Sequence, residues 1–149
     1  MAKKIQKKIK LTIELVPKTC HYSNVRTTIK KKDWDTIRRI SYENANHVCE
    51  ICGQTGLEQG YKHKVECHEI WKYDDKKKIQ KLTGLISLCP LCHQVKHIGR
   101  AMAIGKQPEV FRHLEIINEW GHKQVAEHLA EAFMLNKERS MYELSLIHI

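Results

Sequence analysis

Residues 88–97 read LCPLCHQVKH, and this stretch decides the fold. Cys89 and Cys92 form a C-x2-C knuckle, a tight turn that aims two sulfur atoms at one point. His93 follows the knuckle directly, and His97 lies four residues further on. Residues four apart share one face of a helix, so both imidazoles can reach the same metal ion. The stretch therefore predicts two ligands of a zinc site and, beside them, two ligands of a second site.

A second knuckle occurs earlier in the chain, at Cys49 and Cys52. Gly53, which follows it, permits the positive φ that such a turn needs. Two knuckles complete a tetrahedral site of four thiolates, which has no open position for water and is typical of structural zinc. A redox C-x2-C motif would need only one pair, placed between a strand and a helix. We therefore expect the four knuckle cysteines to hold a structural Zn²⁺.

Two β-strands are predicted between the knuckles, around Val65–Trp71 and Ile79–Leu88, joined near residues 74–76. The first strand is dense in groups that bind metals or transfer protons. These groups are Glu66, Cys67, His68 and Glu69. A third histidine in such a cluster, together with two correctly spaced histidines after a zinc knuckle, favours a functional site over scattered surface histidines.

This order of motifs resembles the HNH endonucleases, the zinc-bearing branch of the ββα-metal nucleases. The matching pattern is C-x2-C, then a strand with a metal-binding residue next to histidine, then L-C-x2-C-H-x3-H, and it covers about residues 47–100. The resemblance implies an α+β fold with a ββα-metal core and the four-cysteine zinc site. It also implies a metal-dependent endonuclease or nickase that hydrolyses phosphodiester bonds in DNA.

The resemblance implies a role for each histidine. His68 matches the general base that activates water against a phosphodiester, a role that suits a side chain titrating near neutral pH. His93 matches the final histidine of the family motif, a ligand of the catalytic divalent ion. His97 lies one helical turn further on, where some branches of the family have another ligand.

Cys67 stands where the family usually has a metal-binding Asp or His. A Cys/His/His ligand set suits zinc better than magnesium, which favours Zn²⁺ or another transition metal as the catalytic ion. The sequence does not choose among Zn²⁺, Ni²⁺, Mn²⁺ and Mg²⁺. Glu66 or Glu69 could supply an oxygen ligand instead. Because successive strand residues face opposite ways, Glu66 and His68 should share one face of the sheet and Cys67 the other.

The middle Asn of the family motif is absent, and its place falls at Gly84. In the family this Asn orients the loop bearing the base or reaches the metal, and Thr83 or a backbone carbonyl could substitute for it here. We expect an active enzyme because the base and the metal-site residues occur together. The alternative is a non-catalytic, zinc-stabilised module that binds nucleic acid or a partner nuclease.

Three segments of one domain are expected: 1–46, 47–104 and 105–149. The first should contain a basic strand, with apolar residues alternating over residues 9–15, and a helix capped by Asp33. The second is the zinc-bearing core. The third should be a hairpin of two helices with Gly121 as the C-terminal cap of the first, followed by a closing strand over residues 142–149 that could pair with the N-terminal one.

The chain has 26 Lys and Arg against 17 Asp and Glu in 149 residues, a formal net charge of +9 that favours a nucleic-acid partner, DNA more than RNA. Basic residues near the predicted site are candidates for phosphate contacts. They are Lys76, Lys77, Lys78, Lys81, Lys96 and Arg100. No apolar run suits a secretion signal or a membrane span, so we expect a cytoplasmic protein without a membrane partner. The sequence leaves open a homodimer or a larger nuclease complex.

Overall fold

Two antiparallel strands form the centre of the fold. The computed structural model describes residues 8–147, and in it β1 (Glu66–Asp74) pairs with β2 (Ile79–Leu88). The Asp74 carboxylate accepts hydrogen bonds from the amides of Lys76 and Lys77 and closes the turn between the strands. These strands lie close to the predicted ones. The pairing shifts by one residue between Ile70 and Trp71.

Helix α3 (Pro90–Lys96) follows β2 directly and leads into α4 (Ile98–Ala103). Pro90 occupies the first helical position, where its missing N–H costs nothing and its fixed φ suits a helix. Cys89 is the N-cap residue, and its sulfur accepts a hydrogen bond from the amide of Cys92 at 3.4 Å. His97 lies at the junction of the two helices. The knuckle and the two histidines are therefore set on a rigid strand-to-helix connection.

The N-terminal segment corrects the first strand prediction. Residues 9–15 are in no strand, although Leu11 and Ile13 are buried as the alternation requires. Their backbone groups bond to other elements instead of a neighbouring strand: the Asn118 amide pairs with both the N–H and the C=O of Leu11, at 3.0 and 2.7 Å. The Ile13 amide donates to His128 Nε2 at 2.9 Å. The alternation of apolar residues therefore reflects the burial of one side of this segment and not pairing in a sheet.

Two helices lie between this segment and the first knuckle: α1 (Val25–Thr28) and α2 (Lys31–Asn44). The predicted cap, Asp33, instead lies in the first turn of α2, where a carboxylate is favoured by the helix dipole. Trp34 is buried, whereas Ile40 is exposed. A 3-10 helix precedes α1 at Lys18–Cys20, and a second one, Gly56–Gln59, follows the first knuckle.

The predicted helical hairpin is present as α5 (Gln107–Asn118) and α6 (His122–Arg139). Its connection differs from the prediction: Glu119, with φ of 55°, is the C-terminal cap of α5. Gly121 is instead the N-cap of α6, and its amide donates to the Gln124 side chain at 2.9 Å.

The closing strand, β3 (Ser145–Ile147), pairs in parallel with residues 79–81 of β2. The expectation that it could pair with the N-terminal segment is therefore wrong, because Asn118 and His128 already satisfy that segment's backbone. Residues 148–149 of the predicted strand and residues 1–7 of the predicted basic segment lie outside the described part of the chain.

One core unites the three predicted segments in a mixed α+β fold. Its buried side chains come from the N-terminal segment, both cysteine knuckles, α3, α4 and the helical hairpin. Leu11, Leu88, Ile98 and Leu114 are fully buried in it.

Among residues 8–147, every helix is too short or too polar to span a lipid bilayer.

Candidate functional site

The four knuckle cysteines meet at one point. Their sulfur atoms all lie within 4.8 Å of one another, and Cys52 Sγ is 3.6 Å from Cys89 Sγ. Cys49, Cys89 and Cys92 are buried, and Cys52 is half-buried. Gly53 has a φ of 76°, as the turn of the first knuckle predicts. Four cysteines this close together can hold a structural metal such as zinc.

The electrostatics of this cluster favour a cation. Hydrogen bonding with Cys52 lowers the pKa of Cys49 to about 6, whereas hydrogen bonding with Cys49 raises the pKa of Cys92. Four adjacent thiolates repel one another without a positive charge between them, so the four sulfurs cannot all be ionised in its absence. Zn²⁺ would supply that charge and displace the protons.

His113 on α5 extends the cysteine cluster. Its Nε2 atom lies 3.1 Å from Cys92 Sγ, and the residue is 6% exposed. An imidazole N–H that donates to a ligand sulfur orients that ligand and offsets part of its charge. Sequence reasoning missed His113, which lies 21 positions from Cys92 in the interior of a helix.

His68, His93 and His97 form a second cluster. One ring nitrogen from each lies within 4.8 Å of the others. The ring centroids are separated by 5.3 Å (His68 to His93), 5.1 Å (His68 to His97) and 5.0 Å (His93 to His97), with interplanar angles of 68–70°. β1 supplies the first ring, and α3 with its C-terminal cap supplies the other two. The structure therefore brings together the three histidines that the sequence singled out.

Carboxylates fix two of these rings. His93 Nδ1 lies 2.9 Å from Glu66 Oε1, and His68 Nε2 lies 3.2 Å from Glu14 Oε2. An ionised carboxylate can only accept, so these nitrogens carry the protons and donate. The lone pairs are then left at His93 Nε2 and His68 Nδ1. Glu66 and His68 share a face of β1, as the alternation predicted, and Glu66 acts on a ring rather than replacing Cys67.

Glu14 reaches His68 from the N-terminal segment, 54 positions away. Burial alone would raise its pKa, but the hydrogen bonds from His68 and Lys96 and the charge of Lys96 lower the pKa of Glu14 to about 2. It is therefore a carboxylate at neutral pH. The sequence gives no sign of this contact, because no local pattern links residue 14 to the strand.

Lys96 corrects one predicted phosphate contact. Its side chain is 7% exposed, and its Nζ atom donates to Glu14 Oε1 at 2.7 Å and to Thr12 Oγ1 at 2.9 Å. An ammonium engaged in this way is not available to a nucleic-acid backbone. Lys96 instead holds the carboxylate that orients His68.

Burial also sets the charge of the histidine cluster. It lowers the pKa of His97 to about 3 and lowers the pKa of His68 as well. Both rings are therefore neutral at neutral pH, the state in which imidazole binds a metal ion or accepts a proton.

Cys67 and Glu69 do not join the histidines. The Cys67 thiol lies beside the Ser41 hydroxyl of α2, and burial raises its pKa to about 11. Glu69 accepts hydrogen bonds from the Val25 and Arg26 amides at the start of α1, at 2.9 and 3.3 Å. The prediction of Cys67 as a ligand is thus not supported, because strand alternation turns residues 67 and 69 away from the face that bears His68.

The predicted basic residues fall into two groups. Arg100 is exposed and lines the cavity beside the histidines. Lys76, Lys77 and Lys78 lie at the far end of the hairpin, about 20 Å from His68 at the usual rise of a strand, and Lys81 is on β2 close to that end. Lys78 Nζ lies 3.7 Å from the centre of the Tyr142 ring.

The position of the missing Asn is in the middle of the hairpin. Gly84 pairs with Ile70 across the two strands. Next to it, the Thr83 hydroxyl donates to the Ile70 carbonyl at 3.2 Å. Thr83 thus braces the strand that bears His68 two residues away.

Comparisons of the chain with models of protein families, with curated proteins and with solved structures find no match.

Proposed function

We propose that the protein is a metal-dependent endonuclease or nickase of the HNH type that hydrolyses phosphodiester bonds in DNA. The observation that carries this proposal is the cluster of His68, His93 and His97 on a strand and a helix next to a four-cysteine site. A structural zinc protein has no need of three converging imidazoles. The order β1, β2, α3 supports the proposal because a ββα-metal core has the same order, and the proposed base would lie on the first strand with the proposed ligands on the helix and its C-terminal cap.

His68 is the proposed general base. Its Nδ1 lone pair would take a proton from a water that attacks the phosphorus, while Glu14 would stabilise the imidazolium that forms. The bond from phosphorus to the 3′ oxygen would break as the water oxygen bonds. Lys96 would keep Glu14 ionised and in place throughout.

His93 and His97 are the proposed ligands of the catalytic ion. Glu66 would hold His93 with its Nε2 lone pair toward the ion, the arrangement in which a carboxylate orients a ligating histidine. Imidazole ligands suit Zn²⁺ and Ni²⁺, and Mn²⁺ or Mg²⁺ would need added oxygen ligands from water or phosphate. When bound, such an ion would polarise the phosphate and stabilise the leaving 3′ oxygen.

A plasmid assay tests the proposal. Purified protein is incubated with supercoiled plasmid and Mg²⁺, Mn²⁺, Ni²⁺ or Zn²⁺, and nicked and linear products are separated on a gel. We expect nicking with at least one ion and a loss of about 10² to 10⁴ in rate for His68→Ala. His122→Ala, at a side chain 96% exposed on α6, is the matched control and should cut normally. Equal nicking by His68→Ala, or none with any ion, would contradict the proposal.

One observation favours a second candidate, a non-catalytic module that binds nucleic acid or a partner nuclease. Gly84 occupies the place of the family's Asn. Under this alternative the protein would bind DNA, and no ion would support nicking. The same assay, run beside a binding measurement, separates the two.

A further inference from the structure

A cavity of about 790 Å³ opens beside the histidine cluster. The three histidines line it together with aromatic side chains from three elements: Trp34 of α2, Trp71 of β1 and Phe133 of α6. The amides of Gln80 and Asn136 also line it. Its volume is in the range of sites that bind small molecules, and its wall combines apolar and aromatic side chains with charged and amide groups.

The two amides present unpartnered atoms. Gln80 is fully buried, its Nε2 atom donates to the Tyr73 hydroxyl at 3.3 Å, and its Oε1 atom has no partner among the described residues. Asn136 Oδ1 is likewise buried and unpartnered within residues 8–147. Rotation of the Gln80 amide by half a turn would exchange its donor and acceptor ends, so it offers the cavity one amide group in either case. A buried polar group without a partner is costly, and a ligand that bonds it removes that cost.

We infer that this cavity receives one unstacked nucleobase of a single-stranded or locally unpaired nucleic acid, with Gln80 bonding the edge of the base. This inference rests on the proposed nuclease function and names its substrate class. Flat aromatic side chains stack on bases of any sequence, and Gln and Asn amides are complementary to base edges. The cavity thus combines the two kinds of contact that hold an extruded base.

The charges at the cavity fit the rest of a nucleotide. Arg26 and Arg100 are exposed and line the cavity, as does Lys18. Glu69 also lines the cavity, where its carboxylate accepts hydrogen bonds from the Val25 and Arg26 amides. Their positive charges would meet the phosphates on either side of the inserted base. A base inside a duplex cannot enter the cavity unless it leaves its stack, so unpaired strands should bind more tightly than paired ones.

Fluorescence anisotropy with labelled single-stranded DNA, in buffer without added divalent ion, tests the inference without cleavage. A set of short oligonucleotides, each no longer than the strand that the protein covers so that the register is fixed, carries one abasic site moved along the strand. For the unmodified protein we expect one position at which loss of the base weakens binding about tenfold. In Phe133→Ala and in Gln80→Leu, the loss of affinity caused by the abasic site at that position should fall to about twofold or less. The comparison is a double-mutant cycle between the side chain and the base.

Met134→Ala is the matched control, because Met134 is 65% exposed on the same helix and does not line the cavity. It should keep the full penalty. Phe133 is 40% exposed, so its replacement keeps the test valid even where Gln80→Leu fails to fold, as judged by circular dichroism. Equal binding of single-stranded and duplex DNA, no sensitive position, or an undiminished penalty in Phe133→Ala would overturn the inference.

The two proposals fail in different ways. A sensitive position without plasmid nicking would leave the base site standing and contradict the endonuclease. Plasmid nicking at equal rates by the unmodified protein and Phe133→Ala, with no sensitive position, would leave the nuclease standing and contradict the base site.

Discussion

The Nε2 atom of His113 lies 3.1 Å from the Sγ atom of Cys92, in the buried space between α3 and α5. This contact ties the helical hairpin to the second cysteine knuckle. It also places a hydrogen-bond donor on a sulfur that would carry negative charge in a zinc site. The C-terminal helices are thus coupled to the cysteine cluster and are more than a packing element.

Replacement of His113 by Ala should weaken zinc binding about 10- to 100-fold, because the ligand sulfur loses the donor that orients it. Competition with a chromogenic chelator measures the affinity. His122→Ala, which removes an exposed histidine from the neighbouring helix, should leave the affinity unchanged. Equal affinities for His113→Ala and the unmodified protein would show that the contact does not stabilise the metal site.

Cys89→Ser should abolish the tighter metal site and lower the melting temperature sharply, because Cys89 is fully buried and also caps α3. Cys67→Ser is the matched control, since the Cys67 thiol belongs to neither cluster. Metal content and thermal melting of the two variants check this. If Cys67→Ser loses metal as Cys89→Ser does, Cys67 is a metal ligand after all.

The sequence predicted those parts of the fold and of the site that depend only on residues close together in the chain. The C-x2-C knuckles, the period-two strands around His68 and the four-residue spacing of His93 and His97 each follow from the geometry of one turn, strand or helix. The contacts of Glu14 with His68 and of Asn118 with Leu11 join residues 54 and 107 positions apart. Neither partner carries a local signal, so these contacts appear only once the chain has folded.

The N-terminal segment shows how a correct pattern led to a wrong element. Its alternation of apolar residues predicted a strand with one buried side. Leu11 and Ile13 are indeed buried, but the segment is not a strand. Side chains on α5 and α6 satisfy its backbone instead. Because these helices position the segment, Glu14 reaches the histidine cluster.

Glu14→Gln should lower the rate of plasmid nicking about 10- to 100-fold, because a neutral amide cannot hold the His68 proton or stabilise the imidazolium as a carboxylate does. Circular dichroism and metal content should remain close to those of the unmodified protein. Glu127→Gln, at an exposed position on α6, is the control and should cut normally. Unchanged nicking by Glu14→Gln would remove this carboxylate from the proposed reaction.

Arg100→Ala should weaken binding to DNA and reduce the slope of log affinity against log salt by about one, as expected for the loss of one phosphate contact. Lys77→Ala should have little effect, because Lys77 lies at the hairpin end away from the histidines. Anisotropy titrations at several salt concentrations measure both. A larger loss for Lys77→Ala than for Arg100→Ala would place the nucleic acid along the hairpin, as the sequence first indicated.

The central claim is that the cysteines and the histidines form two separate metal sites, one structural and one at a reaction centre. Metal stoichiometry measured by mass spectrometry and titration calorimetry tests it most directly. We predict two sites per chain in the unmodified protein and in His68→Ala, but only the tighter one in His93→Ala. A single site that His93→Ala leaves unchanged would contradict the claim.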